Sequence, residues 1–233
     1  MKTTQVYDWP TRFFHWSFAA LFIGAFFIAK TYDDDSAIYP YHMMLGMTLL
    51  LVVTLRLVWG VIGSRYARFS SFHLAPQQLL SYFKNIFSSQ ASRELGHNPA
   101  SSWAALAMIF FSIGLAVTGY LMVQKINKHF FEDIHELLAY GFVLTVVAHI
   151  AGLILHSWKH HDNIAFSMLH GRKQSIEGEV GIPKNHALSG FIFLACLALF
   201  VIYLNQSYDT STRSLKIFGQ TLQLGEAEES TND

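Results

Sequence analysis

Four of the twelve histidines in this 233-residue chain stand where an ionisable ring is costly. His15 lies in TRFFHWSF and His42 in YPYHMMLG, while His135 and His149 open and close HELLAYGFVLTVVAH. The segments around them are apolar enough to enter a bilayer. A neutral imidazole nitrogen can bind a metal, and the ring can also carry a proton near neutral pH. Fourteen helical steps come within about 40° of whole turns and rise about 21 Å. His135 and His149 therefore share one face, one near each end of a span. Ionisable groups inside a span normally face the bundle interior or a functional cavity, so two on one stripe need a joint explanation.

The elements that must position these rings are long apolar helices. The chain is 52% hydrophobic and 14% charged, against about 25% charged in soluble domains. A helix spans the hydrocarbon core with roughly 20 apolar residues, and five stretches qualify: about 13–30, 40–63, 103–123, 133–157 and 187–204. The fold class expected is an all-α integral membrane protein. Asp8 suits an N-cap and Pro10 a first helical turn, so the first helix can start near Trp9. Lys2 and Arg12, with the basic residues of the 64–102 and 158–186 connections, place the N-terminus and both long loops in the cytoplasm. Trp9, Trp16, Trp103, Trp158, Tyr32, Tyr39 and Tyr41 fall near span ends, as interfacial aromatics do. Within 64–102, APQQLLSYFKNIF puts Leu79, Leu80, Phe83, Ile86 and Phe87 at helical spacing, which predicts an amphipathic surface helix. With five spans the 205–233 tail falls outside, and its acidic end GEAEESTND predicts disorder.

Composition also excludes. One cysteine, Cys196, rules out intrachain disulfides, c-type haem attachment and Cys-rich metal sites on this chain alone. A formal net charge of zero gives no electrostatic case for nucleic acid. The N-terminus lacks a basic region and cleavage pattern and reads as retained rather than as a signal peptide.

Depth pairs the rings. The first span begins in the cytoplasm, which puts His15 at the depth of His149; the second begins outside, which puts His42 at the depth of His135. Two neutral imidazoles facing each other across a bundle make an axial site for haem iron, with no open position for oxygen. One pair per leaflet predicts two haems. Arg56, fourteen residues after His42, would reach the cytoplasmic haem and neutralise a propionate; Arg12, one turn before His15, is a second candidate. Gly24, Gly46, Gly141 and Gly152 would let a flat macrocycle approach the backbone, or serve ordinary helix contacts. His156 lies on nearly the same face as His149 and stays open as the alternative cytoplasmic ligand; it would sit about 31 Å from His135, at the edge of the hydrocarbon. His73, His97, His129, His160, His161, His170 and His186 fall in loops or at span ends and are expected to be solvated or interfacial. The His156–His160 spacing with His161 is a weak zinc signal.

The ordered set VYDWPTRFFHW, HMMLG, LRLVWGVIGSRYARF, GHNPAS, IHELLAYGFVLTVVAHIAG and SMLHGRK resembles the bacterial di-haem cytochrome b561 family, which includes the cytochrome b subunits of nickel–iron hydrogenases. The resemblance covers about residues 6–173. It implies a four-helix haem-binding transmembrane bundle within 1–173, with a haem b near each face and His15, His42, His135 and His149 as axial ligands. Residues 174–204 would then add a linker and a fifth transmembrane helix, followed by the polar external tail. It further implies an inner-membrane cytochrome passing electrons between the quinone/quinol pool and a redox partner: a hydrogenase, a c-type cytochrome or a dehydrogenase. Polar groups such as Arg68, His73 and Trp158 are candidates beside the quinone. A stand-alone superoxide:quinone oxidoreductase is the alternative, with Lys125, Lys128 and His129 drawing the anion inward. A haem-free transporter or anchor whose histidines relay protons is a more distant one.

Overall fold

The computed structural model describes residues 2–85, 94–160, 162 and 164–225. Five helices are long and apolar enough to cross a membrane. The first, α1 (Trp9–Thr31), starts where its sequence says it should. The Thr11 N–H donates to Asp8 Oδ1 at 2.9 Å, and Pro10 occupies the first turn. Such a cap is worth about 1 kcal/mol. Asp8 also accepts the Trp59 indole N–H on its second oxygen at 3.1 Å, which ties the start of α1 to the end of α2 (Tyr39–Ile62). A short α3 (Pro76–Asn85) precedes α4 (Pro99–Val123), whose cap is Asn98, accepting from the Ser101 N–H at 2.8 Å. Then come α5 (Lys128–His160), α6 (Ser167–His170) and α7 (Ala187–Ser207).

The helices outrun the apolar stretches because backbone hydrogen bonding continues where hydropathy stops. With 33 residues, α5 is about 50 Å long, well beyond an apolar layer about 30 Å thick. On α3, Leu80 and Phe83 are exposed, as a surface helix requires; Ile86 and Phe87 lie outside the described residues.

α1 and α2 form one antiparallel hairpin and α4 and α5 another, with α7 packed on the first pair. Near mid-bundle the hairpins meet through Phe18, Phe22, Leu49, Val52, Val53, Ile109 and Phe142. Phe142 is fully buried, and its ring stacks on Phe22 with centroids 3.8 Å apart and planes 21° apart. α7 sits close against α1 because Gly190 has no side chain: a Cβ there would run into Trp9 and Phe13.

Two small sheets depart from an all-helical expectation. β1 (Thr3–Gln5) pairs antiparallel with β2 (Arg172–Gln174), so the N-terminus is stapled to the segment after α6. The backbone N–H groups of Val6 and Tyr7 both donate to the Gly171 carbonyl. Gly171 ends α6 at φ 77°, a conformation open to glycine.

The tail read as polar and external is folded as far as the description reaches. β3 (Tyr208–Asp209), β4 (Ser214–Ile217) and β5 (Gln220–Gln223) make an antiparallel sheet. Period-two alternation is the reason. Leu215, Ile217, Leu222 and Leu224 point to one side and bury against Met44 of α2 and Leu204 of α7. The polar residues between them set the opposite face, and Phe218–Gly219, both at positive φ, turn the hairpin. The acidic end that prompted the disorder expectation, residues 226–233, lies outside the described residues.

Candidate functional site

At the end of the bundle far from the N-terminus, the His42 and His135 rings face each other across the space between α2 and α5. Their centroids are 6.1 Å apart and their planes 67° apart. Each ring has its Nδ1 committed. His42 Nδ1–H donates to the Ala25 carbonyl of α1 at 2.9 Å, and a carbonyl can only accept. His135 Nδ1 lies 2.8 Å from the Thr118 hydroxyl. That hydroxyl has its own proton on the Gly114 carbonyl at 2.9 Å, so it accepts from His135. Both rings therefore carry the Nδ1–H tautomer and keep Nε2 unprotonated, the arrangement that readies imidazole for a metal.

The second pair of rings lies toward the N-terminal end, with different neighbours. His15 is within electrostatic range of His149, and its ring packs edge-on to Trp16 at 5.3 Å. His156, the alternative partner, is otherwise engaged: its Nε2 lies 3.3 Å from Asp162 and its ring 4.5 Å from His160. Arg56 reaches this end from α2. It is 5% exposed, with its guanidinium 4.9 Å from the Phe69 ring and 5.6 Å from Phe14. Arg12 is already held, over the Trp9 ring at 4.2 Å with its Nε donating to the Met168 carbonyl.

These residues fit a haem. An imidazole nitrogen bonds a transition metal at about 2 Å and its ring centre lies about 1 Å behind, so two rings on one iron have centres about 6 Å apart. The outer pair has that spacing. Of the four glycines, Gly24 and Gly141 serve helix packing, against Leu45 and Phe111. A Cβ at Gly46 or Gly152 would meet nothing within 4 Å. Gly46 lies one turn from His42 and Gly152 about one turn from His149, so each leaves room beside a ring. The sequence profile of the prokaryotic cytochrome b561 family matches residues 6–171. The chain belongs to that family.

This b561-family chain thus belongs among the cytochromes, with five helices long and apolar enough to cross a membrane. Two curated relatives, from Escherichia coli (strain K12) and Escherichia coli O157:H7, are each named "Probable Ni/Fe-hydrogenase 1 B-type cytochrome subunit". Each is 22% identical over 147 residues, which is 53% of this cytochrome and 62% of the relative. The cytochrome therefore spans less than two thirds of their length. No solved structure matches it.

Other sequence candidates scatter in this cytochrome. Arg68 and Trp158 are exposed, and only His73 borders the buried N-terminal cluster, 3.5 Å from Glu94. Lys125, Lys128 and His129 are surface residues. Among the described residues no group of three or more His, Cys, Asp or Glu could hold a metal ion; His161 lies outside them. Sequence reasoning missed Thr118, which has no local signature, and it misplaced His97. Expected to be solvated or interfacial, His97 packs between the rings of Phe72 (4.7 Å) and Tyr7 (6.1 Å) with its Nδ1 sealed from solvent. The signal was its place directly before the Asn98–Pro99 helix start, which pins the residue against the bundle.

Proposed function

We propose that this cytochrome holds two b haems, one between His42 and His135 and one between His15 and His149, and carries electrons across the membrane. The observation that carries the reading is that α5 supplies one ring near each of its ends, each matched in depth by a ring from α1 or α2. Haem supplies one-electron redox chemistry, and histidine on both axial faces leaves no site for oxygen. The protein's part is positional. Ala25 and Thr118 fix the tautomers of the outer pair, Phe22 and Phe142 fill the space between the two ends, and Arg56 offers charge to a propionate. The Lys/Arg bias of the loops supports an N-terminus in the cytoplasm and a C-terminus in the periplasm of a bacterial inner membrane. A quinone/quinol pair is the proposed small-molecule partner, and the names of the relatives favour a hydrogenase over a c-type cytochrome or another dehydrogenase as the protein partner.

Stopped-flow mixing of the purified oxidised cytochrome with a short-chain quinol tests this. We expect the α and Soret bands of both haems to reach the reduced state within a physiological turnover, about 1 s or faster. Haems that dithionite reduces but quinol leaves oxidised would remove the quinone from the account.

A further inference from the structure

We infer that Arg56 and His97 together form a carboxylate-binding pocket for a propionate of the haem beside His15 and His149. The inference rests on the haem reading above and extends it to a residue outside the four helices' histidine set.

Two buried nitrogens lack partners here. Arg56 Nη1 and His97 Nδ1 are both sealed from solvent, and neither has a hydrogen-bond partner among the described residues. A contiguous wall joins them: Arg56 lies 4.9 Å from the Phe69 ring, Phe69 packs on Phe72 at 5.4 Å, and Phe72 packs on His97 at 4.7 Å. An unpaired buried guanidinium costs several kcal/mol, so such groups are normally paired. The nearest acid does not serve. Asp8 is within electrostatic range of Arg56, but its Oδ1 takes the Thr11 N–H and its Oδ2 the Trp59 indole.

The charges around His97 point the same way. Lys173 and Arg56 act on it as cations, and among the described residues no carboxylate is a cause of its shift. Burial first, then Lys173 and Arg56, push the His97 imidazole down to about 3. Lys173 is itself placed, donating to the Gly96 carbonyl at 2.8 Å and lying over the Tyr7 ring at 5.1 Å. A positive, buried patch with two unpartnered nitrogens, within electrostatic range of His149, has the chemistry of a carboxylate site. Arg presents a planar fork matched to carboxylate geometry, and imidazole adds one directed N–H. The haem propionate is the carboxylate that the neighbouring ring pair would bring.

The test is redox potentiometry and resonance Raman on the purified full-length protein, with four variants: Arg56→Leu, His97→Phe, Arg56→Lys and His97→Gln. Removing positive charge or a donor from the propionate makes the haem harder to reduce. We expect Arg56→Leu to lower the reduced-to-oxidised ratio of one haem about tenfold at fixed potential, equal to about 59 mV for one electron. His97→Phe should lower it less, Arg56→Lys and His97→Gln less still, and the second wave should stay in place. The propionate bending band of that same haem should shift in Arg56→Leu and His97→Phe, a change that looser packing alone would not produce. If either apolar variant does not fold, the conservative pair decides by the same one-wave shift. Wild-type protein lacking two haems would sink the haem reading itself. Two haems whose waves and Raman bands ignore every substitution, or a shift confined to the other haem, would overturn the pocket alone.

Discussion

Alanine at position 135 should leave the protein with one haem where the wild type holds two. The Nδ1 of His135 is held by Thr118, and its ring stands 6.1 Å from His42. Alanine removes the iron ligand without disturbing the helix, because alanine is the best helix former and the ring lies on the cleft side. His42 alone cannot supply two axial bonds, so the outer haem should be lost or become high-spin. The haem between His15 and His149, about 21 Å along α5, should keep its low-spin spectrum. Thr118→Val is the milder companion: it removes the acceptor that sets the tautomer, and such outer-shell changes cost about 10–100-fold in metal affinity. Pyridine haemochrome counting and low-spin EPR read both variants. Two undisturbed low-spin haems in His135→Ala would put the ligand somewhere else.

Phe142→Ala should be the most damaging apolar substitution. Phe142 lies seven residues after His135 and seven before His149. Its ring contacts Phe22 at 3.8 Å, Phe18 at 5.6 Å and Phe111 at 6.2 Å. It is the main buried link between α5 and the α1–α2 hairpin; the exposed Lys30–Glu136 pair, 3.2 Å apart, adds little. In soluble cores Phe→Ala costs about 3–5 kcal/mol. Lipid tails are as apolar as the core, so the transfer part shrinks and the packing part remains; we expect about 2–3 kcal/mol. Because the ring lies midway in sequence between His135 and His149, thermal bleaching of both haem bands should move to lower temperature together. Phe142→Leu should move them less. A melting curve unchanged by the alanine would mean that other contacts hold α5 in place.

Much of this arrangement was legible because helices obey simple arithmetic. Asp8 with Pro10 announces the first helix start, and the fourteen-residue step from His135 to His149 places two rings on one face whatever surrounds them. What lies opposite a residue was not legible. Gly24 and Gly46 look alike in sequence, yet one meets Leu45 and the other open space. Thr118 becomes informative only once α4 is laid against α5. His97 looked like any loop histidine because the wall of Tyr7 and Phe72 comes from distant parts of the chain. The β3–β5 sheet was hidden differently: its alternating residues are few, its strands at most four residues long, and the acidic end dominated the composition of the segment.

The most direct test is the ratio of haem b to polypeptide in the purified full-length protein, from the pyridine haemochrome spectrum and quantitative amino-acid analysis. Two ring pairs in one bundle predict a ratio of two, with both irons low-spin. A ratio of one in fully loaded protein, or a spectrum with no Soret band, would contradict the account.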